Sequence, residues 1–128
     1  MAREVLEKIL YVEDDPDIQE IARLALVDVG GFVLQICTYG KEALKIAPDF
    51  KPDLIILDVM MSDMDGISIF NSFRKLKDTA LTPIIFLTAR VQPEEVKQYL
   101  ELGVLEVIHK PFDPLTLADS IRKIWNRF

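Results

Sequence analysis

Long apolar runs are missing from this chain of 128 residues. No stretch approaches the ~18 residues that a membrane-spanning helix needs, and Met1-Ala2-Arg3-Glu4 opens no secretory leader. Cysteine occurs once, at Cys37, which excludes an internal disulfide and any multi-cysteine metal site. That scarcity points to a reducing, cytoplasmic setting. Histidine also occurs once, at His109. Positive charge is short: 15 Lys and Arg stand against 21 Asp and Glu, a formal net charge of -6. Such a chain is poorly suited to grip nucleic-acid phosphates and better suited to a metal cation or a basic partner. Low-complexity tracts, long linkers and sequence repeats are absent too. What remains is 50% apolar and 28% charged, the balance of a single globular domain over residues 1–128.

A pattern recurs instead of a sequence: a short apolar run, a turn, then a helix-like segment. Ile9-Leu10-Tyr11-Val12 reads as a strand buried on both faces, ending in Glu13-Asp14-Asp15. Asp15 and Pro16 open a helix whose Ile18, Ile21, Ala22, Ala25, Leu26 and Val29 share one face, stopped by Gly30-Gly31. Further strands are expected over 32–37, 54–57, 84–87 and 104–108. Helices are expected over 41–47, from Gly66, over 93–102, and after Asp113-Pro114, with Leu117, Ile121, Ile124 and Phe128 inward in the last. Strands alternating with helices imply α/β architecture: a five-stranded parallel sheet, doubly wound, with five helices. Ligands of such sheets sit at the carboxyl ends of the strands.

Those ends carry Glu13 and Asp14, then Asp58, then Thr88, then Lys110. Neighbouring strands lie ~4.8 Å apart, so the carboxylates would crowd unless a cation or protons relieved them. Oxygen ligands without His or Cys suit Mg2+. A divalent ion and an ammonium around one carboxylate suit phosphoryl transfer, with Asp58 as nucleophile and Thr88 as hydrogen-bond donor. Each residue alone has an ordinary alternative: Asp14 or Asp15 as a cap, Asp58 as a turn former, Thr88 as a strand terminator, Lys110 as an exposed lysine. Only their joint occurrence at strand ends favours chemistry.

The runs ILYVEDDP (9–16), LIILDVMMSDMDG (54–66), PIIFLTA (83–89) and KPF (110–112), in this order and spacing, resemble the receiver domain of bacterial two-component response regulators. The resemblance spans about Lys8 to the final helix. It implies the flavodoxin-like strand order 2-1-3-4-5. It implies Asp58 as phosphoacceptor, Asp14 as a direct Mg2+ ligand, Glu13 as an indirect one, and the Met60 carbonyl as a further ligand. Thr88 would bond the phosphoryl group and Lys110 would pair with it, beside a cis Lys110–Pro111 bond. The donor would be a sensor histidine kinase or a histidine phosphotransfer protein. A chain of this kind is not an enzyme beyond its own phosphorylation and dephosphorylation. Its output would be changed binding to a downstream protein, with a phosphorylation-dependent homodimer as one form. Neither nucleic acid nor membrane would be a direct partner.

Several positions depart from the family pattern. Ser62 replaces a usual proline, and Val104 a usual alanine. Val107 stands where an aromatic often moves with Thr88; valine has little reach. Met60 and Arg90 occupy positions that tune hydrolysis, and together they predict slow loss of phosphate. Cys37, Tyr99 and Trp125 read as packing residues, and His109 as a solvated or packed histidine. The chain's start at Met1 and its finished last helix favour a free-standing regulator over a fragment of a larger regulator or hybrid kinase. Three rivals remain: an aspartyl phosphatase, disfavoured because Met60 stands where a second acid belongs; a flavodoxin-like cofactor binder, disfavoured by acids after strand one; and a receiver kept only for docking.

Overall fold

Apolar runs of four to five residues bounded by turn formers become strands here because their β-branched and aromatic side chains can be buried on both faces at once. The computed structural model describes residues 5–60, 64–89 and 92–128. Its strands are β1 Lys8–Val12, β2 Val33–Cys37, β3 Leu54–Asp58, β4 Ile84–Thr88 and β5 Glu106–His109. Its helices are α1 Pro16–Arg23, α2 Gly40–Phe50, α3 Gly66–Lys75, α4 Pro93–Leu102 and α5 Leu117–Arg127. All pairings are parallel, in the order β2-β1-β3-β4-β5. The doubly wound sheet and its order are therefore as expected. The order turns back between β1 and β3, so a crevice opens beyond the ends of these two strands. No helix among the described residues is long and apolar enough to cross a membrane.

Alternation along each strand divides the core into two layers. Ile9, Tyr11, Leu54, Ile56, Ile85 and Leu87 face a layer completed by Ala22, Leu26, Leu117, Ile121 and Trp125. Leu10, Val12, Ile55, Leu57, Ile84 and Phe86 face the opposite layer, with Ala43, Ile69, Phe70, Phe73 and Tyr99. Burying each of the Val, Leu, Ile and Phe side chains among them contributes about 1.5–3 kcal/mol.

Local differences from the expected elements have local causes. The first helix does not run unbroken to Gly30: after Arg23 a π-helical turn covers Leu24–Val29. The wider turn shifts the phase, so Ala25 and Leu26 stay buried while Val29 is turned outward. Ile21 is also largely exposed. The second helix runs past Ala47 through Pro48 and ends at Lys51, whose N–H still reaches the Ala47 carbonyl and whose left-handed backbone (φ 54°) turns the chain out of the helix. β5 begins at Glu106 rather than Val104, because Val104 still donates its N–H to the Tyr99 carbonyl at the end of α4. Asp113 forms a turn ahead of α5, accepting from the Leu115 N–H at 2.9 Å, and the helix starts at Leu117. Phe128 is not inward: it is 44% exposed, its ring edge-on to Trp125. Cys37, Tyr99 and Trp125 are buried, as expected, and of the two places open to His109 the structure takes the exposed one. Burial in the apolar layer, aided by Glu42, pushes the Cys37 thiol up to about 12.

Candidate functional site

The carboxyl ends of β1, β3, β4 and β5 deliver polar residues to a single rim, two from β1 and one from each of the others. Glu13 follows β1 directly and is buried. Its backbone is fixed on both sides: its N–H donates to the Cys37 carbonyl at 2.9 Å, and its carbonyl accepts from Gln19 Nε2 at 2.5 Å. Asp15 caps α1 by accepting from the Asp17 N–H at 2.9 Å, which turns the chain away and leaves Asp14 half-buried on the rim. Asp58 closes β3 and is buried. The chain after it is pinned where the Gly66 N–H reaches the Val59 carbonyl at 3.0 Å. A Cβ on Gly66 would meet the Val59 Cα at 2.8 Å, so only glycine permits that approach. Thr88 closes β4, fully buried, and its carbonyl accepts the Lys110 N–H at 2.8 Å. The Lys110–Pro111 bond is cis, as expected.

Three carboxylates converge there. Glu13, Asp14 and Asp58 each offer an oxygen, and these oxygens lie within 4.8 Å of one another. Lys110 Nζ binds two of the groups, Glu13 Oε1 at 2.8 Å and Asp58 Oδ2 at 2.9 Å. The other Asp58 oxygen accepts the Met60 N–H at 3.1 Å. Tyr11, on the same strand face two residues before Glu13, donates its hydroxyl to Glu13 Oε1 at 3.3 Å.

The electrostatics follow from burial and crowding. Burial pushes the Glu13 carboxyl up, against the pull of the Lys110 ammonium and helped by the Asp58 charge, to about 7. The Tyr11 hydroxyl is raised well beyond its ordinary value, chiefly by burial and then by the charges of Glu13 and Asp58. For Lys110, burial works against the charge, but the hydrogen bonds and charges of Glu13 and Asp58 outweigh it and raise the ammonium's pKa. One ammonium against three carboxylates leaves negative charge uncompensated. An all-oxygen set with that surplus fits a hard divalent cation, and Glu13, Asp14 and Asp58 are the residues that would hold it.

All of Glu13, Asp14, Asp58, Thr88 and Lys110 thus reach one rim, with the Met60 backbone beside Asp58. Met60's side chain is exposed. Val107 lies two strands away from Asp58 and packs partly buried into the layer containing Phe86 and Tyr99. Arg90 and Ser62 lie outside the described residues. Sequence reasoning aimed Lys110 at a phosphoryl group and missed its bond to Glu13. It also missed Tyr11 and Gln19, although Tyr11's place two residues before Glu13 on a strand was a usable signal.

Known proteins share this sequence pattern and fold. Residues 9–122 match the profile of the response regulator receiver domain. The transcriptional regulatory protein CseB of Streptomyces coelicolor is 36% identical over 120 residues, covering 94% of this chain and 50% of CseB. An uncharacterized 14.6 kDa protein from the sodA1 3′ region of Leptolyngbya boryana is 37% identical over 115 residues, covering 90% of this chain and 87% of that one. The chain spans about half the length of curated relatives such as CseB and ycf27 of Guillardia theta. Among solved structures, the chemotaxis response regulator CheY4 of Vibrio cholerae superposes with a TM-score of 0.84 at 30% identity, covering 94% of this chain and 99% of CheY4. With fold and sequence in agreement, the chain belongs to the receiver domain family of two-component response regulators.

Proposed function

We propose that this receiver is a phosphorylation-controlled switch whose phosphoacceptor is Asp58. The observation that carries this reading is the convergence of Glu13, Asp14 and Asp58 oxygens within 4.8 Å of one another, with the Lys110 ammonium bonded to Asp58. An Asp58 carboxylate oxygen forms a bond to phosphorus while the donor's P–N bond breaks. The departing imidazole keeps the electron pair and takes a proton from solvent. Lys110 supplies positive charge to the transferring group, and the Thr88 hydroxyl donates to one of its oxygens. A Mg2+ ion held by Glu13, Asp14, Asp58 and the Met60 carbonyl would neutralise the charge that crowds there. Apart from this self-phosphorylation, the chain turns over no substrate.

The donor is a phosphohistidine on a sensor kinase or phosphotransfer protein. Ile18 and Ile21 of α1, Ala89, and Pro111 and Phe112 line an apolar groove of about 270 Å³ with Lys110 in its wall. A helix that carried a phosphohistidine could bury apolar side chains there and keep its reactive nitrogen near Asp58. The output is altered binding to a downstream protein in the cytoplasm. Incubation with acetyl phosphate and Mg2+, read by intact mass, should add one phosphoryl group to the wild type and none to Asp58→Asn. EDTA should suppress the gain. An Asp58→Asn protein that gains the same mass would overturn the assignment.

A further inference from the structure

The helices that cover the sheet are anchored unequally. α3 buries Gly66, Ile69, Phe70 and Phe73, and α5 buries Leu117, Ala118, Ile121, Ile124 and Trp125. α4 buries only Tyr99. That residue also organises the helix end, where its carbonyl accepts from the Gly103 N–H at 3.3 Å and the Val104 N–H at 3.4 Å.

What Tyr99 touches connects it to the rim. Its ring meets Phe86 edge-on, centroids 5.1 Å apart at 74°. Phe86 meets Phe70 of α3 in the same way, at 6.0 Å and 83°. Phe86 is fully buried and stands two residues before Thr88, on the same face of β4. Its register partner on β5 is Val107, a side chain too short to replace an aromatic neighbour. A phosphoryl group that draws in the Thr88 hydroxyl pulls on the end of β4. A close-packed interior cannot absorb that pull at Phe86 without a neighbour giving way. On one side is Phe70, on a helix held by several buried side chains. On the other is Tyr99, which alone among α4's residues is buried. The yielding contact is therefore the one to Tyr99.

We infer that Tyr99 is a positioning residue that couples the state of Asp58, through Thr88 and Phe86, to the seating of α4 on the sheet. The inference rests on the proposed phosphoacceptor role of Asp58, and its test separates the two. The full chain is labelled with 3-fluorotyrosine at Tyr11, Tyr39 and Tyr99, the lines being assigned by Tyr→Phe variants. Mg2+ and beryllium fluoride, a phosphoryl mimic, are then added. Bound-fluoride lines in the same 19F spectrum report occupancy of the site directly. The Tyr99 line should shift, while that of Tyr39, exposed at the start of α2, should stay. Hydrogen exchange of α4 should change by at least about threefold on loading in wild type and Tyr99→Phe, which keeps the ring. The change should vanish in Tyr99→Leu even though its bound-fluoride lines persist. Should Tyr99→Leu fail to fold, the wild-type 19F spectrum and Tyr99→Phe exchange decide. Bound fluoride with an unmoved Tyr99 line, or an α4 response intact in Tyr99→Leu, overturns the inference. No bound-fluoride lines at all would overturn the reading of Asp58 and this inference with it.

Discussion

The body of the sheet and its carboxyl rim are built from the same strands, yet they obey opposite rules. In the body every side chain of β3 from Leu54 to Leu57 is buried and apolar, as is every one of β4 from Ile84 to Leu87. One residue further along, the same strands bury Asp58 and Thr88. The body gains stability from each group it removes from water. At the rim, burial costs free energy and is tolerated because Lys110 and backbone N–H groups partly compensate the carboxylates. The lesson is that apolar strands serve as rigid stems that hold like charges closer together than those charges would settle by themselves.

That division can be broken by mutation, beginning with the largest effect. Asp58→Asn should abolish phosphoryl acceptance while changing unfolding free energy by no more than about 1 kcal/mol, by denaturant titration. A collapse of stability would mean that the rim is structural. Phe73→Ala, emptying a fully buried site in the body, should cost about 3–5 kcal/mol of stability while the folded fraction still accepts phosphate.

The pH dependence sharpens the comparison next. The Glu13 carboxyl is held up to about 7 in the folded protein against an ordinary 4.5. An acid that holds its proton more tightly when folded stabilises the fold fully below its unfolded pKa. That contribution is lost as pH rises from about 4.5 to about 7. Metal-free protein should therefore melt at falling temperatures across this window, and Glu13→Gln should flatten the slope. At neutral pH, Mg2+ at a hundredfold over its dissociation constant should restore about 2.7 kcal/mol in wild type and less in Asp14→Asn. The smallest effect is expected far from both regions: Leu81, 94% exposed, should tolerate Leu81→Ser within about 0.5 kcal/mol.

How much of this was legible in the residues differs by element. The runs around Ile9, Leu54 and Ile84 announced their strands because burial on both faces demands continuous apolar character. The acids and the lysine at their ends announced a rim because an open parallel sheet puts all such ends on one edge. The π-turn at Leu24–Val29 was not legible, since Val29 keeps helical spacing in the sequence while one widened turn rotates it to solvent. Nor was the outward place of Phe128 legible, since helical spacing alone does not tell a ring packed in the core from one lying edge-on to Trp125 at its margin. The Lys110–Glu13 pair escaped because residues so far apart in sequence meet only through strand order.

From composition and spacing alone came the layered α/β class, the strands and the chemistry-bearing rim, for apolar periodicity is a local property that the chain carries wherever it folds. Tertiary structure alone decided which oxygen Lys110 binds, how far burial raises the Glu13 carboxyl, and that α4 rests on Tyr99. These depend on distances across separate strands and helices, and distance between residues remote in sequence exists only after the chain has packed.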